Sequence, residues 1–219
     1  MSVAAAALRR GALLSLEGGE GAGKSTVLGA LQARLEARGH RVHATREPGG
    51  TPAGEAIRAL LLDPAQALLP STELLLMFAA RAQLVEAVIE PALARGETVL
   101  SDRFTDASFA YQGGGRGLPM AQIAELERVF VRRAPDFTLL LDLDVEAGLE
   151  RARARGGPAD RIESERAEFF ERVRRAYRAR ALAEPGRIAL IDAAPVAAEV
   201  AAAACAALDA FLDRWEARP

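Results

Sequence analysis

The sequence has too few cysteine and aromatic residues for several classes of protein. Its 219 residues include one cysteine, Cys205, so no internal disulfide can form, which suits a reducing compartment. Aromatic residues make up 5% of the chain, too few for a base-stacking platform along a nucleic-acid strand. The 28 basic and 30 acidic residues nearly balance, which argues against binding nucleic acid through a broad basic face. We therefore expect no nucleic-acid partner.

The sequence also lacks a long apolar run of the kind that spans a membrane. No stretch of about 18 uncharged apolar residues occurs, and Arg9 and Arg10 follow the apolar Ala4–Leu8 run, whereas a signal peptide has its positive charge first. We expect a cytoplasmic protein without a membrane partner. We expect residues 1–11 to form a flexible tail. The length of the rest, residues 12–219, fits a single domain.

Short apolar runs alternate with longer amphipathic ones along the chain, which predicts an α/β fold. The expected structure is a parallel sheet of about five strands with right-handed crossovers and helices on both faces. Ligands bind such sheets beyond the carboxyl ends of the strands. The predicted strands are Leu13–Leu16, Val42–Thr45, Thr98–Ser101, Phe137–Leu143 and Arg187–Ile191. The predicted helices are Val27–Arg38, Pro52–Leu62, Ser71–Arg95 (capped by Ser71 and kinked or broken at Pro91), Thr105–Tyr111, Met120–Arg132, Val145–Arg155, Ser164–Ala183 and Val196–Glu216.

A phosphate-binding loop follows the first predicted strand and precedes the first helix. The segment from Gly18 to Ser25 reads Gly-Gly-Glu-Gly-Ala-Gly-Lys-Ser and matches the P-loop pattern. Its backbone N–H groups can converge on phosphate oxygens, its lysine can reach the β- and γ-phosphates, and its serine can ligate Mg²⁺. Glu20 has no obvious partner here and could face water, a metal or a substrate hydroxyl. We expect ATP to contact Gly18, Gly19, Glu20, Gly21, Ala22, Gly23, Lys24, Ser25 and Thr26.

A P-loop alone does not select an activity, but the other charged residues favour a small-molecule kinase. The Asn-Lys-x-Asp motif of GTPases is absent. Arg46 and Arg103 each lie at the carboxyl end of a predicted strand, just after its last residue, where arginines can gather the charge of two phosphoryl groups. Asp102 resembles the carboxylate that reaches Mg²⁺ after a buried strand. Asp142 fits the strand pattern equally well, although Asp102 has an arginine beside it.

Two further features allow either a functional or a purely structural interpretation. Phe78 and Arg81 share one face of a helix and could bind a base, or Phe78 could be core while Arg81 pairs with a structural carboxylate. A run of arginines from Arg151 to Arg161 surrounds Gly156-Gly-Pro. It is either a solvated helix face or a lid over residues 151–162 that closes on ATP and excludes water.

The chain resembles bacterial thymidylate kinases from about Leu13 to the C-terminal helix. The P-loop is generic, but Arg-Glu-Pro-Gly-Gly-Thr and Tyr-Gln-Gly-Gly-Gly-Arg are specific segments. The stretches that carry the resemblance, in chain order, are Glu17–Ser25, Thr45–Thr51, Leu76–Leu84, Ser101–Phe104, Ala110–Gly117 and Arg151–Gly156 leading to Asp160–Glu163. The resemblance implies transfer of the γ-phosphate of ATP to dTMP, with Mg²⁺ as cofactor, in a homodimer.

The resemblance also implies a role for each residue at the matching positions. Lys24 and Asp102 would be catalytic, with Ser25 and Asp102 on the metal. The P-loop offers no arginine, so the catalytic arginine would come from the lid, as Arg153 or Arg155. Phe104 departs from the tyrosine or histidine common there, which removes a side-chain hydrogen bond but retains Arg103. The implied dTMP contacts are Arg46, Glu47, Pro48, Phe78, Arg81, Arg103, Ser108, Tyr111 and Gln112.

Overall fold

The computed structural model describes residues 10–156 and 159–217, which contain a five-stranded parallel sheet. The strands lie in the order β2-β3-β1-β4-β5, which confirms the predicted α/β class. Since the parallel strands all end at one edge, this edge holds the residues that follow them. The strand bounds are β1 (Leu13–Gly18), β2 (Val42–Arg46), β3 (Thr98–Asp102), β4 (Phe137–Asp142) and β5 (Ile188–Asp192).

Helices cover both faces of the sheet, as predicted. The helical bounds are α1 (Lys24–Ala37), α2 (Pro52–Leu62), α3 (Pro70–Leu84), α4 (Glu90–Ala94), α5 (Thr105–Ser108), α6 (Met120–Leu126), α7 (Val145–Ala154), α8 (Ala167–Ala183) and α9 (Ala197–Glu216). Three π-helical segments, Val85–Ile89, Phe109–Gly115 and Glu127–Val131, continue α3, α5 and α6. Among the described residues, no helix is both long and apolar enough to span a bilayer.

Alternation along the central strand β1 divides the core between the two faces. Leu14 and Leu16 pack against α1 and α9, whereas Leu13 joins the cluster formed with α3 and α4 on the opposite face. This is the period of two that a strand imposes on its side chains. Ser15 is also buried, and its hydroxyl bonds the Thr138 hydroxyl of β4 at 2.8 Å. Arg187 donates to the same Thr138 hydroxyl at 3.0 Å, so both buried hydroxyls have hydrogen-bond partners.

The structure corrects three predicted helix features. Ser71 is not a cap: α3 begins at Pro70, without a side-chain cap bond at Leu69, because proline fits the first helical position with its φ already set. Pro91 does not stop the helix, since the π-helical segment leads into α4 and Pro91 lies in the first turn of α4. Helix α8 begins at Ala167 rather than Ser164.

The late start of α8 has a local cause. The Asp160 carboxylate accepts the backbone N–H groups of Ile162 and Glu163, each at 2.8 Å, and so holds this segment in a turn that competes with helix formation. Of the predicted tail, residues 1–9 lie outside the described residues. Arg10 and Gly11 are fixed, since Arg10 bonds Asp136 at 3.3 Å and the Gly11 N–H donates to the Leu93 carbonyl.

We predict that Leu31→Ala lowers the free energy of unfolding by about 2–5 kcal/mol, the usual effect of a large-to-small change in a packed core. Leu31 of α1 is fully buried between the sheet and α9. Leu182→Ala on α8 is the matched control, because that side chain is 82% exposed, and its effect should stay within about 0.5 kcal/mol. Urea unfolding of both variants checks this, and equal losses would contradict the core assignment.

Candidate active site

A cavity of about 450 Å³ lies beyond the carboxyl ends of β1, β2 and β3. Its walls come from the P-loop, the turn after β2, helices α2 and α3, the start of the π-helical segment Phe109–Gly115, and the segment that follows α7. Of the predicted site residues, the lining includes Glu20, Gly21, Ala22, Gly23, Lys24, Ser25, Thr26, Arg46, Glu47, Pro48, Asp102, Arg103, Tyr111, Gln112 and Arg155. The structure therefore brings residues expected to contact ATP and residues expected to contact dTMP together around one cavity.

The P-loop gets its shape from glycines that no other residue could replace without strain. Gly21 and Gly23 have φ angles of 68° and 87°, in the left-handed region that favours glycine. The loop also backs directly onto α7: a Cβ added at Gly148 would overlap the Glu20 carbonyl oxygen, and one at Gly21 would overlap the Gly148 carbonyl. The position of the phosphate-binding loop is thus set by close backbone contact with α7.

Lys24 is the only lysine of the chain, and it begins α1 with its ammonium turned back onto the loop. Its Nζ donates to the carbonyls of Gly18 and Gly19 at 3.2 and 3.3 Å. Desolvation, followed by the positive charge of Arg103, lowers the pKa of Lys24 to about 8. An ammonium held this way loses its charge in a pH range where lysines in water keep theirs.

Arg103 lies at the centre of the cavity floor, directly after β3. Its φ of 70° is unusual for a residue other than glycine. The guanidinium donates to Gly18 O at 3.0 Å, Tyr177 OH at 3.2 Å, Glu20 Oε1 at 3.2 Å and Tyr111 OH at 3.0 Å. Glu20 therefore faces Arg103 rather than water. Burial alone would raise the pKa of Glu20, but Lys24 and Arg103 together lower it.

Glu17 holds this region together, a role that the sequence reading missed. Its carboxyl accepts Phe104 N–H and Tyr177 OH, both at 2.7 Å, and so fixes the turn that carries Arg103. Burial, followed by the negative charge of Asp106, raises the pKa of Glu17 to about 8. The signal for this role in the sequence was a glutamate at a buried position of a strand, because a buried carboxyl group needs hydrogen-bond partners.

The turn after β2 presents Arg46 at the mouth of the cavity. The Arg46 Nη2 bonds both carboxylate oxygens of Glu55, at 3.0 and 2.9 Å, and its side chain remains 54% exposed. Arg58 of α2, which the sequence analysis did not single out, also lines the cavity and donates to the Pro48 carbonyl at 3.0 Å. Two guanidinium groups therefore stand at this wall.

Phe78, Arg81 and Ser108 form a buried group behind this lining. Arg81 is 1% exposed and donates to Glu47 Oε2 at 2.6 Å and to Ser108 Oγ at 2.9 Å. Its guanidinium lies 4.8 Å from the centre of the Phe78 ring. Pairing of Arg81 with a protein carboxylate, one of the two interpretations open from sequence, is the arrangement seen. The Glu47 Oε1 is buried without a hydrogen-bond partner among the described residues.

Asp102 and Asp142, the two candidates for the metal-binding carboxylate, have different environments. Asp102 lines the cavity, and its Oδ1 is buried with no hydrogen-bond partner in the described part of the chain. Asp142 bonds Arg174 at 2.8 Å and Arg178 at 3.2 Å, so its charge is already matched. Within residues 10–156 and 159–217, no group of three His, Cys, Asp or Glu side chains could hold a metal by itself.

The arginine-rich segment after β4 is partly helical. Arg151 donates to the carbonyls of Ala193 and Ala194, both at 2.9 Å. Arg155 borders the 450 Å³ cavity and lies 3.5 Å from Glu163. Arg153 instead lines a neighbouring cavity of about 710 Å³, which Glu20 and Arg155 also border. The two residues at the tip of the predicted lid, 157 and 158, lie outside the described residues.

The C-terminal end of the predicted lid docks onto α2 and α3. Arg161 donates to the Leu61 carbonyl at 2.7 Å and lies 2.8 Å from the Glu73 carboxylate. Glu73, for which the sequence suggested no role in the site, is 1% exposed and borders the cavity. The signal for this role in the sequence was a single acidic residue beside an apolar helical run, since a buried carboxylate needs cationic partners.

Comparison with known proteins identifies relatives over nearly the whole chain. The sequence model of the family described as Thymidylate kinase matches residues 16–203. The chain is 57% identical over 195 residues to a thymidylate kinase of Pseudomonas syringae pv. syringae, covering 88% of this chain and 92% of that one. It is 54% identical over 208 residues to one of Chromohalobacter salexigens, covering 94% and 98%. The crystal structure of thymidylate kinase from Ehrlichia chaffeensis matches with a TM-score of 0.74 and 30% identity, covering 91% and 99%.

We predict that Gly148→Ala weakens ATP binding at least about tenfold, since overpacking against Glu20 must shift the P-loop. Gly29→Ala is the control: a Cβ at this exposed position of α1 meets nothing within 4 Å. It should leave the ATP dissociation constant unchanged and raise the unfolding free energy by about 0.5–1 kcal/mol. Calorimetric titration with ATP measures the affinity of both variants, and urea unfolding measures their stability. Equal ATP affinities for the two variants would rule out the backbone contact as a constraint.

A second prediction concerns pH. The Lys24 ammonium is charged below its pKa of about 8 and neutral above it, so ATP affinity should fall as the pH rises from about 7 to about 9. In Lys24→Arg the cation persists throughout this range, and the fall should flatten. Titration of ATP at a series of pH values tests this; parallel pH profiles for the two proteins would mean that another group titrates.

Proposed function

Because this chain belongs to the thymidylate kinase family, we propose that it transfers the γ-phosphate of ATP to dTMP, giving dTDP and ADP, in dTTP biosynthesis. One observation carries the proposal. The 450 Å³ cavity joins a P-loop wall to a wall bearing Tyr111 and Gln112, with Arg103 between them. A donor on the first wall and an acceptor on the second would meet at this arginine.

The reaction requires the protein to supply alignment and positive charge rather than a general base. A phosphate oxygen of dTMP is already anionic at neutral pH, so it attacks the γ-phosphorus directly. The new P–O bond forms as the bond to the β–γ bridging oxygen breaks, and ADP leaves with that electron pair. Catalysis then depends on alignment and on cations around the transferring group, which Lys24 and Arg103 supply.

Mg²⁺ fits the same site. The Ser25 hydroxyl and the Asp102 carboxylate are hard oxygen donors of the type that this ion prefers, and most of its other ligands in such sites are phosphate and water oxygens. The buried, unpartnered Asp102 Oδ1 supports this assignment, since such an atom needs a donor or a cation. When bound, the ion would neutralise charge on the β- and γ-phosphates.

The remaining residues divide between donor and acceptor. Contacts to ATP come from Gly18–Thr26, with Arg155 or Arg153 as the catalytic arginine of the lid; Arg155 is favoured because it borders the cavity. On the acceptor side, Arg46 and Arg103 hold the dTMP phosphate, and Tyr111 packs where a ribose 2′-hydroxyl would project. The other proposed dTMP contacts are Glu47, Pro48 and Gln112, which line the cavity, and Phe78, Arg81 and Ser108, which lie buried behind the lining.

A cytoplasmic homodimer completes the proposal. Leu75 of α3 is 58% exposed, and Phe130 of the π-helical segment Glu127–Val131 is 54% exposed. Helix α3 and this segment contact each other. Large apolar side chains on neighbouring helices form the kind of surface that a second subunit would cover. The molar mass in solution, measured by light scattering, tests this part separately from the activity.

The experiment that tests the proposed reaction is coupled ADP release with dTMP, dUMP, the ribonucleotide TMP and dAMP as acceptors. We expect dTMP to be preferred over dUMP by about 1–3 kcal/mol in kcat/KM, the effect of one methyl group in an apolar pocket. Equal kcat/KM for dAMP and dTMP would remove the pyrimidine site. A regulatory ATPase, the rival from another class, would release ADP slowly and without stimulation by dTMP.

We predict that Lys24→Ala lowers dTMP-dependent turnover at least about a hundredfold, the usual effect of losing one preorganised charge beside a transition state. The dTMP dissociation constant should change far less, because Lys24 serves the donor side. Steady-state kinetics of a folded, purified variant give both numbers. Near-normal turnover would reject the role assigned to this lysine.

A further inference from the structure

Glu73 gathers one amide and two guanidinium groups at the edge of the cavity, from two segments that are distant in the sequence. Its Oε1 accepts Nε2 of Gln112 at 2.9 Å, and its Oε2 accepts Nη2 of Arg116 at 3.0 Å. Arg161, at the C-terminal end of the predicted lid, lies 2.8 Å from the same Oε2. Glu73 is 1% exposed and Gln112 is 2% exposed, and both line the cavity. A carboxylate so buried has no solvent to replace a lost partner.

The chemistry of this pair fixes which way the Gln112 amide faces. An ionised carboxylate only accepts hydrogen bonds, whereas an amide has one donor end and one acceptor end. Burial alone would raise the pKa of Glu73, but bonds from Arg116 and Gln112 lower it. Gln112 must therefore turn its NH₂ group toward Glu73. Its Oε1 is buried with no hydrogen-bond partner among the described residues.

We propose that Glu73 is a positioning residue that locks the Gln112 amide with Oε1 as an acceptor, so that the site takes pyrimidines with an N3–H and rejects cytosine. This inference rests on the proposed function. Thymine carries a hydrogen on N3, which can donate to Oε1 of Gln112. Cytosine has a bare N3 lone pair at that position, so two acceptors would face each other.

The lock matters because a free glutamine would discriminate poorly. An unrestrained amide can rotate by half a turn and present its NH₂ group to the cytosine N3, which satisfies both partners. With Glu73 ionised, the same rotation would place the amide oxygen against a carboxylate oxygen in a buried site, where unpaired polar groups are costly. Sites that hydrogen-bond a substrate N–H reject analogues lacking it strongly.

The test compares kcat/KM for dTMP and dCMP in wild type and Glu73→Gln. A glutamine at position 73 can donate or accept, so it releases the amide of Gln112. We expect the dTMP:dCMP ratio to fall at least about tenfold, with dCMP turnover rising. Arg116→Lys is the matched control: it removes the guanidinium contacts with Glu73 but keeps a positive charge beside the carboxylate, so the amide bond should persist and the ratio should stay within about twofold.

A double-mutant cycle separates positioning from general disruption. In a Gln112→Leu background the amide is gone, so adding Glu73→Gln should leave the dTMP:dCMP ratio unchanged. If Glu73→Gln does not fold, Glu73→Asp keeps the charge for the arginines but withdraws the carboxylate from the amide, and the ratio should still fall.

Three results would be decisive. An unchanged ratio in folded Glu73→Gln or Glu73→Asp overturns the inference, as does an equal fall of the ratio with and without Gln112. If wild type shows no dTMP-dependent ADP release, the proposed function itself fails. The two failures are distinguishable, because the first requires an active, dTMP-selective wild type.

Discussion

Charge pairing between arginines and glutamates organises the whole cavity. Arg46, Arg81 and Arg103 converge on a small, partly desolvated space, where bare cations would repel one another and the fold would be destabilised. Each meets a carboxylate from elsewhere in the chain: Glu55, Glu47 and Glu20 respectively. The sheet makes this possible, because the parallel strands that carry Arg46 and Arg103 end at one edge, beside the P-loop.

The pairs differ in burial, and this divides their functions. The Arg81–Glu47 pair is nearly inaccessible, with side chains 1% and 2% exposed, and it fixes the wall on which a base would rest. The Arg46–Glu55 pair is half exposed and contributes little to stability. Its guanidinium is therefore free to exchange partners. The buried pair shapes the cavity wall, and the looser one is exposed at the cavity mouth.

The sequence predicted the sheet and the P-loop well because both follow from local patterns. An apolar run of strand length, the glycine-rich segment after it and the lysine of α1 are adjacent in the chain. The roles of Glu17 and Glu73 were missed because their partners lie far away: Tyr177 is 160 residues from Glu17, and Gln112 is 39 from Glu73. Pairing over such distances depends on tertiary packing, which periodicity does not encode. The predicted cap at Ser71 was wrong for a local reason: Pro70 occupies the first position of α3, so the helix begins one residue earlier.

The exposed contact between Arg46 and Glu55 has a consequence for turnover. A phosphate that binds Arg46 would exchange with a carboxylate that remains tethered nearby on α2. Because one anion replaces another, the net charge around the arginine changes little, and arrival releases fewer salt ions than binding to a bare cation would. The same tethered carboxylate competes for the arginine once the reaction is over. Such a competing carboxylate would weaken the interaction of Arg46 with substrate and product phosphates alike.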